Sequence, residues 1–164
     1  MLLAVGAVSC PDPDVEFDAY IPITVYWPRS AALLDPPKYL RFRQGRNLLE
    51  LKFHPKAGDL LELVLVSAPE ARAVDETLGS VIGADEGVAP TIDPASANSA
   101  DGACLTIAIY EDCLKLVLES EASVIRWIGS KLIAFGLTSD SVVSEIRIML
   151  NPTQRSSVLE STRC

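Results

Sequence analysis

The chain is poor in the residues from which metal sites are usually built. It has a single histidine, His54, and four cysteines among 164 residues, and no two cysteines form a CxxC pair. Structural zinc sites need four cysteine or histidine ligands at characteristic spacings. The sequence therefore predicts no metal site, and it shows no motif for any other cofactor.

Motifs for nucleophilic catalysis and phosphate binding are also absent. The chain has no GxSxG, no GxGxxG and no GxxxxGK[ST] sequence, and these motifs respectively mark nucleophile elbows, dinucleotide sites and phosphate loops. His54 falls beside a turn, with no cysteine placed near it by the pattern. We predict no catalytic residue and no enzymatic activity. An enzyme that uses dispersed carboxylates stays open as an alternative.

Long hydrophobic runs and positive charge are lacking as well. No apolar run reaches the roughly 18 residues that a membrane-spanning helix needs, so no membrane span is predicted. The chain has 22 acidic and 14 basic residues, a net charge of −8. Nucleic acid is excluded as the general partner, because a phosphate-binding protein needs a basic surface.

The cysteines and the N-terminus bear on the compartment. Cys104 and Cys113, placed on one hairpin, lie too far apart for a disulfide, so we expect four free thiols and a cytoplasmic protein. Residues 1–10 read MLLAVGAVSC. They resemble a lipoprotein cleavage site at Cys10, but the basic n-region is missing. An ordinary first strand or a misassigned start codon is the other interpretation.

The chain does have a run of predicted β-hairpins in which the hydrophobic residues of each strand align with those of the next. Alternation predicts strands over residues 39–43, 48–54 and 60–66, so that Leu40 and Phe42 face Leu51 and Leu49. The middle strand, through Leu49, Leu51 and Phe53, also faces Leu65, Leu63 and Leu61. The same register places Arg41 opposite Glu50 and Lys52 opposite Glu62. A strand that pairs with a neighbour on each side indicates a continuous sheet.

Further strands are predicted on both sides of these hairpins. Residues 21–27 form a strand that is either at an edge or bulged, because Pro22 cannot donate to a ladder. A helical turn at 30–34 follows it. Residues 104–109 pair with 114–119, and residues 124–128 pair with 131–137 around a two-residue Gly129-Ser130 turn. Residues 142–150 form the last strand, and Asn151-Pro152 then begins a short helix as N-cap and first helical residue.

These elements predict a single domain over residues 1–164 that is mainly β (α+β). We expect an antiparallel meander of eight or nine strands with a short C-terminal helix and one weak internal helix within 70–82. An open sheet, a sandwich and a barrel are all compatible with the pattern. Residues 1–19 are expected to form an extended N-terminal segment, and residues 67–103 a long acidic connection rich in Ala, Gly and Pro.

This connection is the predicted contact surface. It includes seven acidic residues and one basic residue between positions 70 and 101, and an acidic loop steers basic partners toward it. The end of the connection, residues 83–103, is expected to be a flexible loop. The candidate partner-binding residues are Glu70, Asp75, Glu76, Asp85, Glu86, Asp93 and Asp101.

A basic cluster and two tryptophans are secondary candidates. Arg41, Arg43, Arg46 and Lys52 form the one positive patch, which either binds an anion or pairs with neighbouring glutamates. Trp27 and Trp127 are interface anchors if exposed and core residues if buried.

Two stretches resemble the hairpins of immunity proteins that protect bacteria from polymorphic toxins. They are LLELKFHPKAGDLLELVLVSAP at 48–69 and SVIRWIGSKLIAFGLTSDSVVSEIRIML at 123–150. The resemblance implies a non-catalytic protein that neutralises a cognate toxin by occluding it, with a basic toxin domain as the expected partner. A small β-barrel that carries a hydrophobic ligand is the alternative function.

Overall fold

A computed structural model of the protein describes residues 1–28, 35–81, 85–96, 104–119 and 121–163. Within them the chain forms fourteen strands and one C-terminal helix. The strands make three open sheets, mostly antiparallel, and none of the sheets closes into a barrel. The elements are β1 (Ala4–Ser9), β2 (Asp14–Glu16), β3 (Ile23–Tyr26), β4 (Lys38–Gln44), β5 (Asn47–Phe53), β6 (Leu60–Ser67), β7 (Arg72–Ala73), β8 (Asp85–Glu86), β9 (Val88–Ile92), β10 (Thr106–Ile109), β11 (Cys113–Val117), β12 (Arg126–Gly129), β13 (Ile133–Leu137), β14 (Val143–Met149) and α1 (Pro152–Ser161).

The five-stranded sheet contains the predicted hairpins and has the order β2-β3-β6-β5-β4. Leu40 pairs with Leu51 and Phe42 with Leu49, as the alternation predicts. Leu49 and Leu51 then pair with Leu65 and Leu63. All six of these side chains are buried, so the central register is confirmed.

One pair of this register is wrong. A register shift between Lys52 and Phe53 brings Phe53 opposite Leu60 instead of Leu61. The shift places Leu60, which is 2% exposed, in the core, while Leu61 is only half-buried. A bulge beside a turn reverses the face of a single residue without disturbing the strand beyond it.

The seven-stranded sheet has the order β7-β10-β11-β14-β13-β12-β8. The hairpin β10–β11 has the predicted register, with Ile107 opposite Leu116 and Ile109 opposite Leu114. The second predicted turn is wrong. Ile128 pairs with Phe135, and the Ser130 N–H donates to the Ile133 carbonyl at 2.7 Å. The loop therefore consists of residues 131–132, and this register keeps the charged Lys131 exposed in the loop instead of opposite Ile128 on the buried face.

The strands do not form one meander of eight or nine. The two-residue strands β7 and β8 form the opposite edges of the seven-stranded sheet. β7 pairs in parallel with β10, and β8 pairs in parallel with β12. The N-terminal segment contributes β1, which pairs with β9, and β2, which pairs with β3. The β1–β9 ribbon touches both larger sheets, through bridges from Leu3 to Val142 and from Asp59 to Thr91.

Residues 67–103 also differ from the prediction. The described part of 70–82 contains no helix, because the backbone N–H groups of Val74 and Leu78 bond to the β10–β11 hairpin and not within their own segment. Residues 83–103, predicted as one loop, include β8 and β9. The helical turn predicted at 30–34 lies outside the described residues.

The side chains of the larger sheets and of the ribbon form one hydrophobic core. Trp27, which follows β3, packs with its ring centroid 6.0 Å from that of Phe135 in β13. The predicted C-terminal helix is confirmed. Asn151 and Gln154 form a capping box, Pro152 is the first helical residue, and Val158 inserts into the core. Among the described residues, no helix combines the length and apolar character needed to cross a bilayer.

Candidate protein-binding surface

The acidic connection runs along one end of the seven-stranded sheet, from one edge to the other. It leaves β7, passes the turn between β10 and β11, and rejoins the sheet as β8 beside β12. We call its described part, residues 72–81 and 85–86, the strap. Because both of its ends belong to the sheet, the strap has a defined place on the fold.

Asp112 fixes the middle of the strap. Its Oδ1 accepts the Leu78 N–H at 2.8 Å, and its Oδ2 accepts the Gly79 N–H at 2.9 Å. The Glu111 N–H donates to the Glu76 carbonyl at 3.0 Å, and the Val74 N–H donates to the Ile109 carbonyl at 2.8 Å. A carboxylate that accepts two backbone N–H groups stands in for a strand partner where the chain has none. In the sequence, Asp112 has only the signature of a turn residue.

The strap exposes four of the seven predicted acidic residues. Asp75 is bound to Arg155 at 3.0 Å but its side chain is still 92% exposed. Asp85 is bound to Arg126 at 2.6 Å. Glu76 and Glu86 are exposed and form no ion pair with any residue that the structure describes. Within that part of the chain, these two carboxylates carry uncompensated charge.

Glu111 joins this group, although the sequence indicated only a turn residue. It is exposed, and its Oε2 lies 3.5 Å from the Thr77 hydroxyl of the strap. We define the acidic surface as Asp75, Glu76, Asp85, Glu86 and Glu111. With neighbouring strands about 4.8 Å apart, its two ends lie on the order of 20 Å from each other. Only a macromolecular partner spans both ends at once.

The other three predicted residues lie elsewhere. Glu70 is at the β4–β5 turn, where it accepts the Arg46 N–H at 3.2 Å and lies 3.5 Å from the Arg46 guanidinium. Asp93 accepts the Ala95 N–H at 2.9 Å and so closes a local turn. Asp101 is outside the described residues.

The predicted basic cluster is mostly paired. Arg41 is bound to Glu50 at 2.7 Å and Lys52 to Glu62 at 3.2 Å, as the register predicts. These pairs lie on the outward face of the five-stranded sheet. Trp27 is 5% exposed and belongs to the core. Trp127 is half-buried, with the Arg147 guanidinium 4.5 Å from its ring centroid.

His54 has a structural partner for its ring. Its Nδ1 accepts the N–H groups of Lys56 and Ala57, at 3.2 and 3.0 Å, and so closes the β5–β6 turn. The interpretation of His54 as a turn residue agrees with this geometry. Nδ1 is thereby engaged as an acceptor from the backbone.

Among the described cysteines, Cys113 shows little nucleophilic character. Cys113 is fully buried in β11, and burial raises the pKa of its thiol from 9.0 to about 12. A thiol in that state is not a thiolate near neutral pH. Cys10, Cys104 and Cys113 form no disulfide in the described part of the chain. The same residues contain no group of three or more side chains arranged to hold a metal ion.

Comparison with known proteins gives no assignment. No protein-family model matches the chain, and a search of curated proteins finds no significant match.

Proposed function

We propose that the protein is a non-catalytic, immunity-type inhibitor that neutralises a cognate toxin by occluding a basic surface on it. The observation that carries this proposal is the strap, which holds exposed carboxylates along one end of the seven-stranded sheet. Glu76 and Glu86, which lack ion pairs among the described residues, supply charge that a basic partner can neutralise.

The backbone of the strap is ordered before any partner arrives. Asp112 holds it at Leu78 and Gly79, and β7 and β8 hold its two ends. A partner therefore meets carboxylates whose positions are already set, and less conformational entropy is lost on binding. Acidic surfaces of this kind accelerate encounter with basic proteins, and they do so most strongly at low salt.

The chemistry of the remaining residues supports binding over catalysis. His54 Nδ1 bonds to the backbone of a turn, and the raised pKa of Cys113 keeps its thiol protonated. A nucleophilic mechanism needs a base and an activated nucleophile within hydrogen-bond reach of each other. Neither of these two groups offers such a pair.

The carrier alternative loses its structural basis. A carrier of that type needs a closed barrel with an apolar lumen. The three sheets are open, and the side chains between them form a single packed cluster. We therefore do not propose a carrier function.

The first test is protection of a host cell. Each candidate toxin domain from the neighbouring genes is expressed together with the wild-type protein, and survival is scored. Glu76→Gln with Glu86→Gln removes two charges from the acidic surface. We expect this variant to protect less well than the wild type, because it attracts the toxin more weakly.

A matched control removes two charges from the opposite end of the same sheet. Glu121→Gln with Asp140→Asn changes residues that are also exposed, and we expect it to protect as well as the wild type. If the strap variant protects fully at equal protein levels, the acidic surface is not the contact.

A further inference from the structure

The outward face of the five-stranded sheet carries a gradient of charge from one edge to the other. The edge strand β2 presents Asp14 and Glu16, and the opposite edge strand β4 presents Arg41 and Arg43; all four are exposed. Between them, Lys52 is paired with Glu62, and Glu50 is paired with Arg41. The contact with Glu50 uses Nε of Arg41, so the two sides of the face still carry opposite charge, the β2 side acidic and the β4 side basic.

The strand registers arrange this face in two rows that run across the sheet. Directly opposite residues in an antiparallel sheet share a face, so each row follows from the pairings of five strands. The first row is Glu16, Thr24, Val64, Glu50 and Arg41. The second row is Asp14, Tyr26, Glu62, Lys52 and Tyr39.

A charge gradient of this kind is complementary to itself under one symmetry operation. A two-fold axis in the plane of the interface, parallel to the strands, places β2 of one copy over β4 of the other. Each row then lies over the same row of the second copy, with the order of its residues across the sheet reversed. We propose that two copies of the chain associate through this face, with Glu16 of each copy facing Arg41 of the other.

The same operation brings compatible groups together along the rest of the rows. Val64 lies over Val64 at the axis, which gives an apolar centre. The Tyr26 ring faces Lys52 of the second copy, a cation over an aromatic ring. Tyr26 and Tyr39 are 37% and 55% exposed, and exposed tyrosines favour protein interfaces. Glu62 lies over itself, with its charge balanced by Lys52 at 3.2 Å.

The other two-fold axis in this plane, perpendicular to the strands, gives the opposite result. It places β4 over β4 and β2 over β2, so that arginines face arginines and carboxylates face carboxylates. Like charges in an interface cost several kcal/mol. The gradient therefore selects the axis parallel to the strands, which is also the nearly aligned packing that twisted sheets adopt.

The face is small, which sets the expected strength. Five strands about 4.8 Å apart, crossed by about five residues at about 3.4 Å each, give a face of roughly 20 Å by 17 Å. Two such faces bury on the order of 700 Å² together, which is less than the roughly 1,200 Å² at which stable interfaces begin and is typical of weak, transient contacts. We therefore expect reversible dimerisation that depends on concentration and weakens as the salt concentration rises.

The test is sedimentation equilibrium of the full chain from about 10 µM to about 500 µM, where a weak dimer is detectable. Glu16→Lys and Arg41→Glu are each expected to weaken dimerisation roughly tenfold or more, because each homodimer then contains two like-charge contacts. An equimolar mixture of the two variants is expected to dimerise again. In that mixed dimer both contacts join opposite charges, because the two substituted side chains face each other and the two native side chains, Arg41 and Glu16, face each other.

Arg126→Glu is the matched control, since Arg126 is as exposed as Arg41 (59% against 62%) and is also paired with a carboxylate. We expect it to dimerise like the wild type. If Arg41→Glu lowers the folded fraction, Arg41→Gln replaces it, because it also removes the cation that faces Glu16. A wild type that is monomeric throughout, variants that dimerise normally, or a mixture that does not recover would each overturn the proposal. The proposal goes beyond the proposed function and does not depend on it.

Discussion

At the scale of single residues, the groups with chemical potential are mostly engaged by the fold. His54 closes a turn with its ring nitrogen, and Asp112 replaces a strand partner for the strap. Cys113 is buried in a strand whose neighbours are β10 and β14. What remains for a partner is the set of exposed carboxylates, and above all Glu76 and Glu86.

The burial of Cys113 predicts a dependence of stability on pH. The pKa of its thiol is about 12 in the folded protein, against 9.0 for an exposed thiol. From pH 9 upward the unfolded chain loses this proton while the folded chain keeps it. The stabilisation is thus complete below pH 9 and is lost as the pH rises toward 12, by at most about 1.4 kcal/mol per unit.

The measurement is urea unfolding at about pH 8 and about pH 10.5 for the wild type and for Cys113→Ser, which does not titrate there. The free energy of unfolding should fall more steeply with pH in the wild type. Tyrosine and lysine titrate in both proteins, so the difference between the two slopes isolates Cys113. Equal slopes would contradict the raised pKa.

At the scale of elements, backbone contacts join the sheets in addition to side-chain packing. Gly58, in the β5–β6 turn, has φ of +75°, and its carbonyl accepts the Ile92 N–H of β9 at 2.8 Å. A Cβ on Gly58 would clash with the Ile92 carbonyl oxygen. This contact connects the five-stranded sheet to the β1–β9 ribbon.

Gly58→Ala should therefore destabilise the protein more than an alanine at an uncrowded glycine. Gly87 has the same φ of +75°, but a Cβ there meets nothing within 4 Å. We expect Gly87→Ala to cost about 1 kcal/mol for its backbone conformation. Gly58→Ala should cost roughly 2 to 4 kcal/mol, since the steric overlap adds to it. Thermal unfolding of both variants measures the difference, and equal losses would show that β9 moves away without cost.

The sequence predicted those elements that carry their own pattern. Strands β4, β5 and β6 alternate cleanly, so a slip of one residue would turn Leu49, Leu51 and Leu63 out of the core. The capping residues Asn151 and Pro152 likewise located α1. The bulge at Phe53 and the turn after Gly129 were missed. Burial of Leu60 accounts for the first, and the exposed position of Lys131 in the loop accounts for the second.

The strap was predicted as acidic, with a weak helix in its first part and a flexible loop in its second, and its two short strands were not predicted. Two-residue strands such as β7 and β8 are too short for any alternation, and their partners lie far along the chain. The spacing of Val74 and Leu78 fits a helix, but the carboxylate of Asp112 and the carbonyl of Ile109 take their N–H groups. Long-range pairing of this kind leaves no local signal in the sequence.

At the scale of the whole molecule, the two large sheets present different surfaces on one core. The seven-stranded sheet carries the acidic surface along one end, through the strap. The five-stranded sheet presents a face whose charge is graded from β2 to β4. The surface proposed for a basic partner is thus separate from the face proposed for a second copy, and either one can be altered without changing the other.

The most direct test of the central claim is the affinity of the protein for the basic toxin domain proposed as its partner, measured by calorimetry from about 50 mM to about 300 mM salt. We predict that Glu76→Gln with Glu86→Gln raises Kd roughly tenfold at the lowest salt and makes it less dependent on salt. The control, Glu121→Gln with Asp140→Asn, should match the wild type. A Kd and a salt dependence that are the same for all three proteins would contradict binding through the acidic surface.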